Sequence, residues 1–296
     1  MKNILIIGAN GFTGRRILND LSVNPIYHVT GCSLRDDICP GKDYRFVRTD
    51  IRDENEVRKL FKECRPDIVI NTSALSVPDY CETHHAEAEA TNVTAVETIA
   101  HVCEQYGSRF IHLSTDFVFD GKSTRLYKEE DEAIPVNYYG VTKLKAEKII
   151  ASICSNYAIV RVVVVYGKAL PGQHGNILQL VANRLRNGET IRVVSDQWRT
   201  PTFVGDISVG VEKLMFHTAN GIYHICGSEC LTIAEIAYRV ADFLKLDRSL
   251  IEPVTTEEMK EVTPRPRFSG LSIEKAKAEI GYTPRTLEEG MEASYH

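Results

Sequence analysis

The chain has 296 residues, of which 43% are hydrophobic and 25% charged, and its net charge is −5. That length suits one large or two modest domains around a sizeable core, and neither the charge nor any basic run points to a nucleic-acid partner. No apolar stretch approaches the ~18 residues that a membrane span needs, and because Met1-Lys2-Asn3 runs straight into an apolar run, no secretory leader is expected.

Eight cysteines are scattered mostly through apolar segments, without a C-x-x-C pair or zinc-type spacing. They are expected to be free thiols in a reducing compartment, which makes the protein cytoplasmic on this reading.

Residues 4–7, Ile-Leu-Ile-Ile, have the continuous apolar character of a strand buried on both faces. They lead into Gly8-Ala9-Asn10-Gly11-Phe12-Thr13-Gly14, after which 15–21 read as a helix. A strand turning sharply into a helix, with its backbone close to a pyrophosphate, needs glycines here. The helix N–H groups and dipole then hold the anion. Gly8, Asn10, Gly11, Phe12, Thr13 and Gly14 are therefore the candidate dinucleotide cradle; a glycine-rich turn without a ligand is the plainer alternative.

A second strand over 27–32 ends in Gly31-Cys32-Ser33-Leu34-Arg35. A free ribose 2′-hydroxyl usually meets an acidic residue about 20 positions past the glycines. Ser33 and Arg35 stand there instead and suit a 2′-phosphate, which favours NADP(H), with NAD(H) second. Arg35 as a solvated surface residue, and Asp36 or Asp37 as displaced acidic readers, remain open.

A third strand over 45–49 delivers Asp50-Ile51 beside the adenine. Val57, Leu60, Phe61 and Cys64 recur at helical spacing over 54–64, and Pro66 precedes a fourth strand at 67–71. Thr72-Ser73-Ala74 leaves the carboxyl end of that strand, where ligands sit in open parallel sheets. Residues 82–106 read as one long helix with Ala88, Val93, Val96, Ile99 and Val102 on its core side. Asn92 on it serves either a proton relay or a structural hydrogen bond.

A fifth strand, Phe110-Ile111-His112-Leu113, delivers Ser114-Thr115-Asp116, and an apolar loop follows at 117–121. The acidic stretch 127–135 is expected to be exposed. A helix from Tyr139 then carries Lys143 one turn later, so both side chains share a face. An ammonium beside a phenol favours the phenolate, and a Tyr tuned that way exchanges a proton with a carbonyl or alcohol oxygen. Thr115 would set its hydroxyl beside the same oxygen.

A sixth strand at 159–165 is followed by looser alternation: helices at 176–187, 206–217 and 232–244, and strands at 191–194 and 222–226. Between them lies the polar loop 195–202. Arg265-Pro266-Arg267-Phe268-Ser269 is a basic, proline-stiffened segment, either a phosphate clamp or a surface turn. No repeats or low-complexity tracts occur.

The glycine loop, Thr115, Tyr139 and Lys143, in this order, resemble the extended short-chain dehydrogenase/reductases. Leu113-Ser-Thr-Asp-Phe-Val-Phe-Asp-Gly121, Tyr139-Gly-Val-Thr-Lys143, Asp196-Gln197 with Pro201-Thr202, and residues 265–269 look like the dTDP-4-dehydrorhamnose reductase family. The resemblance implies an α/β architecture: an NAD(P)-binding Rossmann fold with a doubly wound parallel sheet, and a smaller C-terminal α+β substrate domain. The boundaries expected are 1–165, with returning segments near 196–226, and 166–296. It implies reduction of the 4-keto group of a nucleotide-activated deoxysugar, with Thr115, Tyr139 and Lys143 catalytic. Lys143 would also bind the nicotinamide ribose, and Asp116 and Arg265 would contact substrate.

Three departures stand out. The strand after the Tyr–Lys helix reads Arg161-Val-Val-Val-Val165 where family members acting on the rhamnose precursor commonly have a Trp. Val77-Pro78-Asp79-Tyr80 replaces a Val-Asp-Lys run, and Arg15-Arg16 replace a Glu that binds Mg2+ at a dimer contact in some members. No metal is therefore expected, and a homodimer stays open. These departures and the Gly31-Cys-x-x-Arg35 strand end also look like the regulatory beta subunit of methionine adenosyltransferase, a noncatalytic NADP-binding homologue. A nucleotide-sugar epimerase is a further alternative.

Overall fold

The computed structural model describes residues 1–41, 43–173 and 175–295. Strands β1 (Lys2–Ile7), β2 (Tyr27–Ser33) and β3 (Arg45–Arg48) form one half of a parallel sheet, with helix α1 (Phe12–Ser22) crossing between the first two. Helix α2 (Glu54–Cys64) leads to β4 (Ile68–Asn71), which returns to the other side of β1. The chain reverses its winding there, opening a crevice between the carboxyl ends of β1 and β4.

The expected long helix over 82–106 is broken. Helix α3 (Pro78–Thr83) stops at His84, whose φ of −127° and ψ of 56° are not helical. Helix α4 (His85–Glu89), a π-turn (Ala90–Thr94) and helix α5 (Ala95–Tyr106) follow. Ala88, Val93, Val96, Ile99 and Val102 are nevertheless all buried, because the breaks leave the apolar face aligned. Strand β5 (Arg109–Thr115), helix α6 (Tyr138–Ile153) and strand β6 (Tyr157–Val162) extend the sheet. Val164, at φ +37°, ends the run expected through 165, and Val165–Tyr166 forms a separate short strand β7.

Helix α7 (Ile177–Arg186) and strand β8 (Ile191–Val194) open the C-terminal region, with short strands β9 (Trp198–Arg199) and β10 (Thr202–Phe203) inside the expected polar loop. Helix α8 (Val204–Phe216) leads back to β11 (Gly221–His224), which pairs with β6 and completes the sheet in the order β11-β6-β5-β4-β1-β2-β3. Helix α9 (Ile233–Leu244) packs with α7 and the last helix, Leu287–Tyr295, around an apolar cluster that includes Tyr166, Phe203, Ile236 and Met291. Two further clusters cover the faces of the main sheet.

All eight cysteines are unpaired. Among the described residues, no helix is long and apolar enough to cross a membrane. The stretch 127–135 is exposed only in part, at Lys128, Glu130, Glu132 and Ile134. Tyr127 is buried, stacked 4.0 Å from Phe119, and Glu129 accepts from the His224 backbone at 3.0 Å.

Candidate active site

The glycine loop packs into the crevice at the winding reversal. Gly8 has φ +83°, and a Cβ there would stand 2.7 Å from both Ser73 N and Thr72 Oγ1. Only a glycine fits, because Thr72 is itself drawn in, its N–H and hydroxyl both donating to Ile7 O. Helix α1 starts after Gly11, with no side chain capping it. The first-turn N–H groups, at Phe12, Thr13 and Gly14, are thus available to an anion at the positive end of the helix dipole. The cradle fits a pyrophosphate.

Asn10 fixes the neighbouring loop: its amide donates to Arg35 O at 3.2 Å and Asp36 O at 2.9 Å, and its oxygen accepts from Arg15 at 2.9 Å. Arg15 is buried and also pairs with Asp37 and donates to Tyr44 at 2.8 Å. Both Asp37 oxygens are thus engaged within the protein, by Arg15, Tyr44 and the Cys39 N–H. Asp50 binds the Arg52 guanidinium and N–H beyond β3, next to Ile51. Ser33 ends β2, and the Arg35 side chain is exposed, with only its carbonyl engaged among the described residues. Ala74 follows Ser73 on the far wall of the crevice.

Thr115 ends β5, and Tyr139 and Lys143 lie on the first turns of α6. Asn137 caps that helix, accepting from Gly140 N at 2.9 Å. Gly140 allows close approach: a Cβ there would strike Phe117 O and stand 2.8 Å from Pro135 Cβ. The helix start thereby sits against the turn after Thr115, and Tyr139, Thr115 and Lys143 are all buried together. Tyr139 also meets Phe117 edge-on at 5.8 Å.

The electrostatics differ from the sequence expectation. Burial raises the Tyr139 phenol above its ordinary value; the Thr115 hydroxyl opposes this, and Asp116 adds to it. Lys143 does not offset it, because its Nζ bonds His112 Nε2 at 2.9 Å and Leu113 O at 2.7 Å. Burial in turn brings Lys143 down to about 8, with Glu147 opposing.

Asp116 is buried, and its oxygens are used within the protein: Ser269 and Thr115 donate to it, and Arg199 lies 3.6 Å away. Burial raises its carboxyl against the pull of Arg199. It ties the 265–269 segment to the end of β5. Arg265 stands half-buried, with Nε 3.1 Å from Glu261 and a terminal nitrogen 3.8 Å from Asp79, so it links the 265–269 segment to α3. Asn92 holds Leu75 by its N–H and carbonyl, at 2.8 and 3.0 Å, and donates to Thr142 at 3.0 Å, a structural clasp across the π-turn.

The roles of four neighbours escaped sequence reading. Arg199 sits buried in what reads as a polar loop, donating to the Pro266 carbonyl at 2.8 Å. Glu147 and Arg161 form a buried two-point pair at 3.0 and 2.7 Å behind Ser114. His112 lies inside an apolar strand run, which is the one signal that it had a buried partner.

Residues 1–296 match the family described as RmlD substrate binding domain. The chain is 30% identical, over 97% of its length and 95% of the relative's, to the probable low-salt glycan biosynthesis reductase Agl14 of Haloferax volcanii. It is 31% identical to methionine adenosyltransferase 2 subunit beta of Xenopus laevis, over 96% of this chain and 84% of that one. The solved dTDP-4-dehydrorhamnose reductase of Bacillus anthracis, in complex with NADP, superposes with a TM-score of 0.88 at 27% identity, covering 100% of this chain and 99% of that one. With the matching fold and the match running from end to end, the chain belongs to the RmlD substrate binding domain family.

Proposed function

We propose that the protein is an NADPH-dependent reductase of the 4-keto group of a nucleotide-activated deoxysugar. The observation that carries this reading is the burial of Thr115, Tyr139 and Lys143 at the carboxyl end of β5, with only β4 between that strand and β1, which leads into the glycine cradle. The nicotinamide supplies the hydride. Tyr139, held protonated by burial, is in the state a proton donor needs for a reduction, and gives its proton to the developing alkoxide while Thr115 hydrogen-bonds the same oxygen. Gly8, Asn10, Gly11, Phe12, Thr13 and Gly14 hold the pyrophosphate; Thr72, Ser73 and Ala74 line the crevice. Ser33 and Arg35 receive a 2′-phosphate, and Asp50 and Ile51 flank the adenine. Residues 166–296 supply most of the sugar-nucleotide side, with Arg265 contacting the substrate. Support comes from the likeness to a reductase solved with NADP.

The test is incubation of the purified protein with NADPH and a panel of 4-keto nucleotide sugars, following the absorbance of the reduced nicotinamide. Turnover of at least one is expected; cofactor binding with no turnover across the panel would favour a second reading. That reading is a noncatalytic NADP-binding subunit, and it draws on the 31% identity to methionine adenosyltransferase 2 subunit beta.

A further inference from the structure

Behind Tyr139, a line of buried polar groups runs from Lys143 through His112 and Asn71 to Ser73. Its donors and acceptors are constrained. Asn71 Oδ1 accepts from the Ser73 backbone N–H at 3.0 Å and from its hydroxyl at 2.6 Å. A backbone N–H can only donate, so the amide carbonyl faces Ser73 and its NH2 faces His112. His112 Nδ1, 3.1 Å from Asn71 Nδ2, must then accept. A neutral imidazole accepting at Nδ1 carries its proton on Nε2, and Nε2 lies 2.9 Å from Lys143 Nζ. An ammonium has no lone pair to accept it. The contact is satisfied only when Nζ is an uncharged amine, with one of its own hydrogens going to Leu113 O at 2.7 Å.

We propose that His112 is a positioning residue that holds Lys143 as an uncharged amine in the ligand-free protein, so that seating an anionic dinucleotide draws a proton onto Lys143. The proton comes from bulk water. The resulting ammonium turns from the Nε2–H toward the ribose oxygens, and His112 keeps its single proton throughout. Burial acts in the same direction, holding His112 well below its ordinary value and bringing Lys143 to about 8, so that the uncharged amine predominates above that pH. The charged group opposing it is Glu147, one turn along α6, both of whose oxygens are held by Arg161 of β6. Tyr139 of α6 is kept neutral by burial, Asp116 after β5 faces Arg199, α3 offers the Cys81 thiol, and the π-turn offers only the neutral Asn92.

The inference rests on reading the crevice between the carboxyl ends of β1 and β4 as the dinucleotide seat, and its two measurements separate the two ideas. Nitrogen-15 NMR of the ligand-free protein, with His112 assigned against His112→Gln, is expected to show a neutral ring protonated on Nε2 between about pH 6 and 9. A ring protonated on Nδ1, or one titrating in that range, overturns the proposal whatever the protein catalyses. Calorimetric titration with NADP+ slightly above the pH of about 8 where burial places Lys143, in buffers of differing ionisation enthalpy, is expected to show proton uptake. His112→Gln, whose carbonyl accepts from an ammonium and keeps Lys143 charged beforehand, should take up less than half as much. Binding without proton uptake in the unmodified protein overturns the proposal. Absence of binding sinks the dinucleotide seat instead, and the ring measurement then decides.

Discussion

Tyr139 carries the chemistry of the proposed reaction through a single oxygen, and replacing it with Phe keeps the ring packed against Phe117. Tyr139→Phe should therefore lower kcat by about 10²–10⁴, the usual contribution of a positioned proton donor, with NADPH affinity nearly unchanged. Near-normal steady-state turnover would remove Tyr139 as the acid. Arg35, exposed and with its guanidinium uncommitted among the described residues, should bind the 2′-phosphate. Arg35→Ala is expected to cost about 1.5–3 kcal/mol of NADPH binding, roughly ten- to a hundredfold in Kd, and to leave NADH nearly untouched; equal losses for both cofactors would refute it. The Thr115–Tyr139–Lys143 set was legible because its spacing is local. What Lys143 touches was not, since His112 and Leu113 reach it only through strand–helix packing.

Helix α6 is held by more than its apolar stripe. Glu147 receives Nε and one terminal nitrogen of Arg161 from β6 and the Ser114 hydroxyl from β5, with both charged side chains no more than 3% exposed. Removing one charge from a buried pair leaves the other uncompensated. Glu147→Gln should accordingly lower stability by about 3–5 kcal/mol in urea unfolding; a loss below about 1 kcal/mol, the scale of exposed pairs, would show that the site is hydrated. Helices with clean 3–4 spacing were readable, α2 to the residue. The stretch after β4 was not: its apolar face continues through His84 and the π-turn, and periodicity does not register a break that preserves the face. The 127–135 stretch was legible in part: Lys128, Glu130, Glu132 and Ile134 are exposed, but its acidic composition conceals Tyr127 under Phe119 and Glu129 against β11.

For the molecule as a whole, the alternation of strands and helices up to β6 is plain in the residues and marks a parallel sheet; the order of its strands is seen only in the fold. The pairing of Gly221–His224 against β6 depends on contacts made after some sixty intervening residues, which local pattern does not encode. That late strand makes the two ends of the polypeptide interdependent. A gene fragment stopping at Tyr166 would leave β6 with an unsatisfied hydrogen-bonding rim, the kind that recruits other chains into aggregates. Expressed alone it should collect in the pellet, and supplying the remainder of the protein in the same cell should return it to the supernatant.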